Sequence, residues 1–461
     1  MSARAANSEA ASYGRRVSLL TLGVGLTGLI TYLFFAIASH QLSPEEYGEV
    51  AVLWSAVFIT VSILQRPVEQ LLSRTISEHE SRGVPTAGPL RVAATLQLGV
   101  ALGFIALALL LRGPLERELL NGNQTLYWVG LGAVAAYGAS YFARGFLAGS
   151  HRATLYAVLI ISESVSRTAF PLAVALGIAS GQTAVALGIV AAPALSLMVV
   201  PFAFLRRGAA VADPDPTPVD AASEDPARAG EFSLAQGGGF AAAVLLIMLS
   251  EQTLLNTGPL LIKGTAGVAA AGFLFNILMI ARAPLQLFQA VTTALLPHLT
   301  RLQAERNEVD FRASVRVTIL GIAAFAALVA VALAIAGPRL MQIAFGEKFT
   351  YERADLLIVA AGMGLYLSAA TLNQAALAQA QVRRAAACWI ACAILFVVWT
   401  VLPIVDDEFT RVEVGYLGAA ALLCALLYAI YRRPHPHAGD EVTPPSTEEM
   451  ELRLASGDET G

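Results

Sequence analysis

The sequence predicts an all-α membrane protein of about twelve transmembrane helices, arranged as two pseudo-symmetric six-helix bundles. Three observations predict it. Of the 461 residues, 56% are hydrophobic and 14% charged, with mean hydropathy +0.64; a soluble chain of this size carries roughly a quarter charged residues. Twelve apolar stretches are each long enough to span a bilayer core, which takes about 20 residues. Finally, a polar, proline-rich segment divides these stretches six and six, and the two sets resemble each other.

The first segment, 1–16, is polar and ends on Arg15 and Arg16. The run after it, "VSLLTLGVGLTGLITYLFFAIA", is too long for a signal-peptide core and is read as the first span. The expected spans are 17–40, 47–72, 92–112, 125–147, 153–178 and 183–205, then 235–262, 268–298, 314–336, 354–380, 385–404 and 412–431. Backbone groups in lipid must bond within their own segment, so these are helices. The alternating ten-residue segments of a membrane β-barrel do not occur. Between the bundles, 17–205 and 235–433, lies the segment 206–234, which contains "DPDPTPVDAASEDPARAGE" and reads as a disordered tether. The acidic tail 434–461 has a similar composition.

Basic residues orient the chain. One set of alternate loops and ends holds 18: Arg4, Arg15, Arg16, Arg74, Arg82, Arg91, Arg152, Arg206, Arg207, Arg228, Arg301, Arg306, Arg312, Arg316, Arg383, Arg384, Arg432 and Arg433. The other set holds 7: Arg112, Arg117, Lys263, Arg339, Lys348, Arg353 and Arg411. Both termini are therefore expected in the cytoplasm, with the chain in the plasma membrane. A repeat is visible in "TLGVGLTG" against "AQGGGFAA", in "EYGEVAVLWSAVF" against "AAGFLFNILMIAR", and in "RGFLAGSHRATLYAV" against "QAALAQAQVRRAAACW". Duplicated bundles of this kind commonly hold substrate between the repeats, near mid-membrane.

Four arginines fall within or at the edge of spans: Arg66, Arg144, Arg167 and Arg282. A cation at the bilayer centre costs at least ~2.5–3.5 kcal/mol, so each should face protein or water. Arg66 and Arg282 sit at similar depths in the second and eighth spans, near Pro67 and Pro284, which are candidate hinges. Glu69 is three residues from Arg66, and Glu163 is four from Arg167, spacings that suit helical ion pairs. Glu251 is a lone acid in the seventh span, a partner for Arg282 or a proton or cation coupling site. Gln286 and Gln289 in the eighth span and Asn256 in the seventh are candidates to bind sugar hydroxyls or to join helices.

Other classes are disfavoured. No Walker A or HExxH motif occurs, and Cys388, Cys392 and Cys424 have no adjacent histidine, so neither a metal nor a cofactor is expected. The loops expected outside are too short to hold a catalytic domain, which argues against an enzyme. Nothing points to nucleic acid.

Four stretches carry a resemblance over about residues 15–433: "LSPEEYGEVAVLWS", "YFARGFLAGSHRATLYAVLIISESVSR", "AAAGFLFNILMIARAPLQLFQAVTTALLPHLT" and "IAFGEKFTYERADLLIVAAG". In order and spacing they resemble the polysaccharide exporters and lipid-linked oligosaccharide flippases of the multidrug/oligosaccharidyl-lipid/polysaccharide (MOP) superfamily. The resemblance implies a V-shaped pair of bundles with alternating access, acting as a monomer. It implies movement of a polyprenyl-phosphate- or pyrophosphate-linked glycan, with the lipid tail left in the membrane lipid and the headgroup in a basic cavity. Arg66 and Arg282 fit that cavity by depth and symmetry, with Arg144 and Arg167 as further candidates. The first span holds no acid, a departure from the drug-exporting branch, whose cation site commonly uses acids in the first helices. The seventh reads "NTGPLL" where many relatives have an acid after the asparagine, which argues against sodium coupling through that position. Such an exporter, and a non-transporting scaffold for glycan polymerase machinery, are the alternatives.

Overall fold

The computed structural model describes residue 23 and residues 25–81, 84–205, 234–305 and 307–432. The tether expected over 206–234 lies outside them, apart from Leu234, as do the terminal segments 1–16 and 434–461. Thirteen long helices build the described chain, and it contains no strand among the described residues. They are α1 (25–41), α2 (Pro44–Leu64), α3 (Arg66–Ser81), α4 (Ala87–Leu110), α5 (Gln124–Gly149), α6 (Ala153–Ala175) and α7 (Gly181–Ser196) in the first half. The second half holds α8 (Leu234–Ala266), α9 (Val268–Ala304), α10 (Glu308–Phe345), α11 (Arg353–Ala378), α12 (Val382–Val401) and α13 (Glu408–Tyr431). Because α2 and α3 form one interrupted span, six spans stand in each half.

Among the described residues, nine helices are long and apolar enough to cross a membrane. Helix α5 is not one of them, although its 26 residues suffice in length. It packs against α3, α4, α6 and α7. Thirteen of its residues are buried, so it meets protein more than lipid and tolerates tyrosine, glycine and Arg144.

Local chemistry sets the helix boundaries. Ser43 caps α2: Glu46 N–H donates to Ser43 Oγ at 3.2 Å, and Ser43 N–H donates to the Glu46 carboxylate at 3.0 Å. With Pro44 in the first turn this is a capping box. Ser43→Ala is expected to cost about 1 kcal/mol, read as a lower unfolding temperature in detergent. The α2–α3 break falls at Gln65, where Pro67 lacks an N–H and its ring crowds the carbonyl four residues back. The ladder resumes at once, with Glu69 N–H donating to Gln65 O at 3.0 Å. Helix α9 passes through Pro284 without interruption.

The pairing of spans repeats. In the first half α3 packs on α5, α4 on α5, α5 on α7 and α6 on α7. In the second half α9 packs on α11, α10 on α11, α11 on α13 and α12 on α13. Each pair corresponds to its counterpart six spans later. The halves meet along α2, which packs on α8 and α9, whereas α3 packs within its own half. They therefore join at the end where α2 starts and part towards the end where α3 finishes.

The joined end is tight and aromatic. A Cβ on Gly48 would lie 2.0 Å from Val268 O, and one on Gly272 would lie 3.0 Å from Gly48 Cα. The Tyr47 hydroxyl donates to Asn276 Oδ1, and Asn276 Nδ2 donates to the Tyr351 hydroxyl at 3.0 Å. Phe35 lies 4.5 Å from Phe275, and Phe273 stacks on Tyr351 at 5.0 Å between ring centres. The chain's two lysines both reach across from the second half. Lys348 Nζ donates to Leu42 O at 2.7 Å and to His40 O at 3.3 Å, and Lys263 Nζ donates to Glu118 O. Leu42 and His40 offer carbonyls at the C-terminal end of α1, where a cation is favoured.

Candidate functional site

Where the halves part, α3, α5 and α6 gather the charged residues of the first half. On α5, Tyr137, Ser140, Tyr141 and Arg144 recur at three- and four-residue spacing and so share one face. On α6, Glu163 and Arg167 are one turn apart.

Glu163 is the centre of this cluster and is 4% exposed. Arg144 donates to its Oε2 at 2.5 Å, Arg167 to its Oε1 at 3.0 Å, and Ser140 Oγ to Oε2 at 3.1 Å. Arg167, 3% exposed, also donates to the Tyr137 hydroxyl at 3.0 Å and to Thr31 Oγ1 at 3.4 Å. Its guanidinium lies 4.6 Å from the Trp54 ring centre, and that of Arg144 lies 4.4 Å from Tyr141. These stacks suit the flat, weakly hydrated guanidinium and hold both cations in place.

Arg66 is held differently. It is half-buried at the start of α3, and among the described residues it has no ion pair within 4 Å. The groups acting on it electrostatically are Tyr141, Glu251 and Glu69. Glu69 accepts from the Tyr156 hydroxyl at 3.1 Å rather than closing an ion pair with Arg66. Glu251 stands on α8, in the other half, within electrostatic range of Arg66 and beside the Tyr366 hydroxyl of α11. In formal charges, the three arginines and two glutamates of this cluster leave it one positive charge, and Glu251 faces it.

The polar residues expected from the sequence are dispersed. Asn256 is buried and donates to Gln252 Oε1, one turn back on α8, at 2.9 Å. Arg282, Pro284, Gln286 and Gln289 lie on α9, and their side chains are outside the described residues. Pro67 sits at the α2–α3 break. The sequence reading passed over Ser140, the tyrosines 137, 141, 156 and 366, and Trp54. The spacing of Tyr137, Tyr141 and Arg144 was a usable signal for the first two. It also missed Gln65 and Gln97, buried beside the break, where Gln97 Nε2 donates to Gln65 Oε1 at 2.5 Å. Gly138 leaves them room: a Cβ there would lie 2.6 Å from Gln97 Nε2.

The family model described as "Polysaccharide biosynthesis protein" matches residues 13–303, more than half of the chain. No curated protein matches. Solved structures share the fold at low identity. An inward-facing multidrug resistance MATE family transporter of the MOP superfamily aligns with TM-score 0.62 and 12% identity, covering 90% of this chain and 99% of its own. The eukaryotic MATE transporter AtDTX14 aligns with TM-score 0.61 and 12% identity, covering 92% and 96%. The Vibrio cholerae MATE transporter VcmN in its bent form aligns with TM-score 0.52 and 15% identity, covering 91% and 96%. With its V of paired six-span bundles, the chain is a multi-pass membrane transporter of the MOP superfamily and belongs to the polysaccharide biosynthesis protein family.

Proposed function

We propose that the chain flips a lipid-linked, anionic saccharide across the plasma membrane by alternating access, both termini being cytoplasmic. Bundles 17–205 and 235–433 rock about the junction, tethered by 206–234, and the polyprenyl tail stays in lipid. One observation carries this reading: Arg144 and Arg167 are pinned on Glu163, while Arg66 stands at the parting of the halves with no carboxylate closed on it. A phosphate in a low-dielectric gap needs a cation, and arginine keeps its charge and offers forked donors. Arg282, on the pseudo-equivalent span of the other half, is proposed as the second headgroup ligand. Gln286 and Gln289 on α9 face sugar hydroxyls in this reading, Pro67 and Pro284 act as hinges, and Glu251 couples a proton or cation to turnover. The protein works as a monomer, alongside glycan polymerase machinery.

The test is export of the glycan in a deletion strain carrying variants with surface expression confirmed. A charge-assisted contact is worth roughly 1.5–3 kcal/mol, so Arg66→Ala and Arg282→Ala are each expected to lower export about ten- to a hundredfold. Unimpaired export in both would overturn the assignment. Export of organic cations is the second reading, favoured by Glu251 and Tyr366 at the gap and by the MATE-like fold. Resistance to cationic dyes that depends on Glu251, with normal glycan export in the deletion strain, would select it.

A further inference from the structure

Away from this cluster, at the joined end, the second half buries a carboxyl for which the transport cycle above has no use. Glu413, in the second turn of α13, is 0% exposed, and no N–H or hydroxyl of the described residues donates to either of its carboxylate oxygens. Asp355, half-buried in the first turn of α11, lies beside it. The groups acting on Glu413 are Asp355 and Glu352 from the α11 side and Asp407 from the loop before α13, and all are acids. Arg411 is turned away: it donates to Leu402 O at 3.3 Å and lies 3.8 Å from Glu408. Residues two apart on a helix do not share a face. Helix α12 offers the Trp399 indole, which donates to Arg411 O at 2.9 Å. Helix α8 meets this part of α13 at Gly258 and Val412, and its Lys263 is engaged with Glu118 O.

A carboxylate buried without donor or cation is unstable, and a second one beside it makes matters worse. A proton removes both difficulties, because it turns one carboxyl into a donor and the other into its acceptor. A metal ion fits less well: among the described residues, no three His, Cys, Asp or Glu side chains are grouped to hold one. We propose that Asp355 and Glu413 form a binding site for a single proton, taken from the water at the joined end through half-buried Asp355. The pair fixes the start of α11 just after Lys348 and Tyr351, so the proton steadies the segment that holds the halves together. The site is independent of the headgroup assignment and stands or falls separately.

The test uses the full-length protein in detergent, with infrared spectra and thermal unfolding taken across pH. The wild type is expected to show a protonated-carboxyl carbonyl band at neutral pH that Glu413→Gln removes and Asp355→Asn shifts in frequency. Glu413→Gln keeps the side-chain volume and brings its own donor, so it should fold, and its unfolding temperature should not share the wild type's fall at alkaline pH. A band that survives Glu413→Gln, or is unmoved by Asp355→Asn, overturns the proposal. So does an alkaline fall of equal size in Glu413→Gln. Recovery of the wild-type unfolding temperature at alkaline pH on adding sodium would overturn it as well, and would assign the pair to a metal cation.

Discussion

Gly48→Val is expected to prevent the joined end from forming and to leave the transporter in the opposite conformation. A Cβ at position 48 would stand 2.0 Å from Val268 O. That neighbour is backbone at the start of α9, so no side-chain rotation relieves the clash. Gly272 meets Gly48 Cα in the same way, at 3.0 Å. Shifting α2 away from α9 would also pull Tyr47 off Asn276 and Lys348 off the end of α1. The variant should fold, because each bundle keeps its own packing, but glycan export should fall to background. Distances between spin labels on the two halves check this: the wild type should populate the joined geometry and Gly48→Val should lack it. A wild-type distance distribution in the variant would refute the expectation.

The second large effect is expected at Glu163, and it falls on stability rather than on transport alone. Glu163→Ala would break both ion pairs, leaving Arg167 buried without its carboxylate and Arg144 with only the more distant Glu69, and breaking a buried pair from one side costs about 3–5 kcal/mol. Here one carboxylate serves two guanidinium groups at 2.5 and 3.0 Å, so the upper part of that range is expected. The stacks on Tyr141 and Trp54 do not neutralise the charges. Glu163→Gln, which keeps an acceptor but no charge, should lose less. Arg66→Ala should lower the unfolding temperature less, since no ion pair closes on Arg66 within 4 Å among the described residues and Glu251 loses only a longer-range attraction. Unfolding temperature in detergent, set beside glycan export, separates the two classes of residue. Equal losses of stability in Glu163→Ala and Arg66→Ala would contradict the division drawn between pinned and available arginines.

How much of this could be read from the sequence follows from how far each contact reaches along the chain. Membrane helices are written locally, as apolar length, so the spans were legible. Even α5, which is too polar to register as a span by composition among the described helices, follows a readable start at Asn123, whose side chain accepts from Leu126 N–H. The Glu163–Arg167 pair was legible because a single helix turn separates its members. Arg144 reaches the same carboxylate from another helix, which no local spacing announces. Arg66 and Glu251 act on each other from opposite halves of the chain, a relation that no local spacing announces. Glu69 stood at ion-pair spacing from Arg66, yet Tyr156, 87 positions along the chain, supplies its hydrogen bond. Glu413 and Asp355 belong to helices separated by all of α12, and nothing near either residue marks them as neighbours.

Placing both lysines of a 461-residue chain on the joined end has a practical consequence. Amine-directed fluorophores, biotin esters and surface-immobilisation chemistries have Lys263 and Lys348 as their side-chain targets, so such reagents would attach to the clasp and perturb what they report. Thiol chemistry avoids it, since Cys388, Cys392 and Cys424 all lie elsewhere, on α12 and α13.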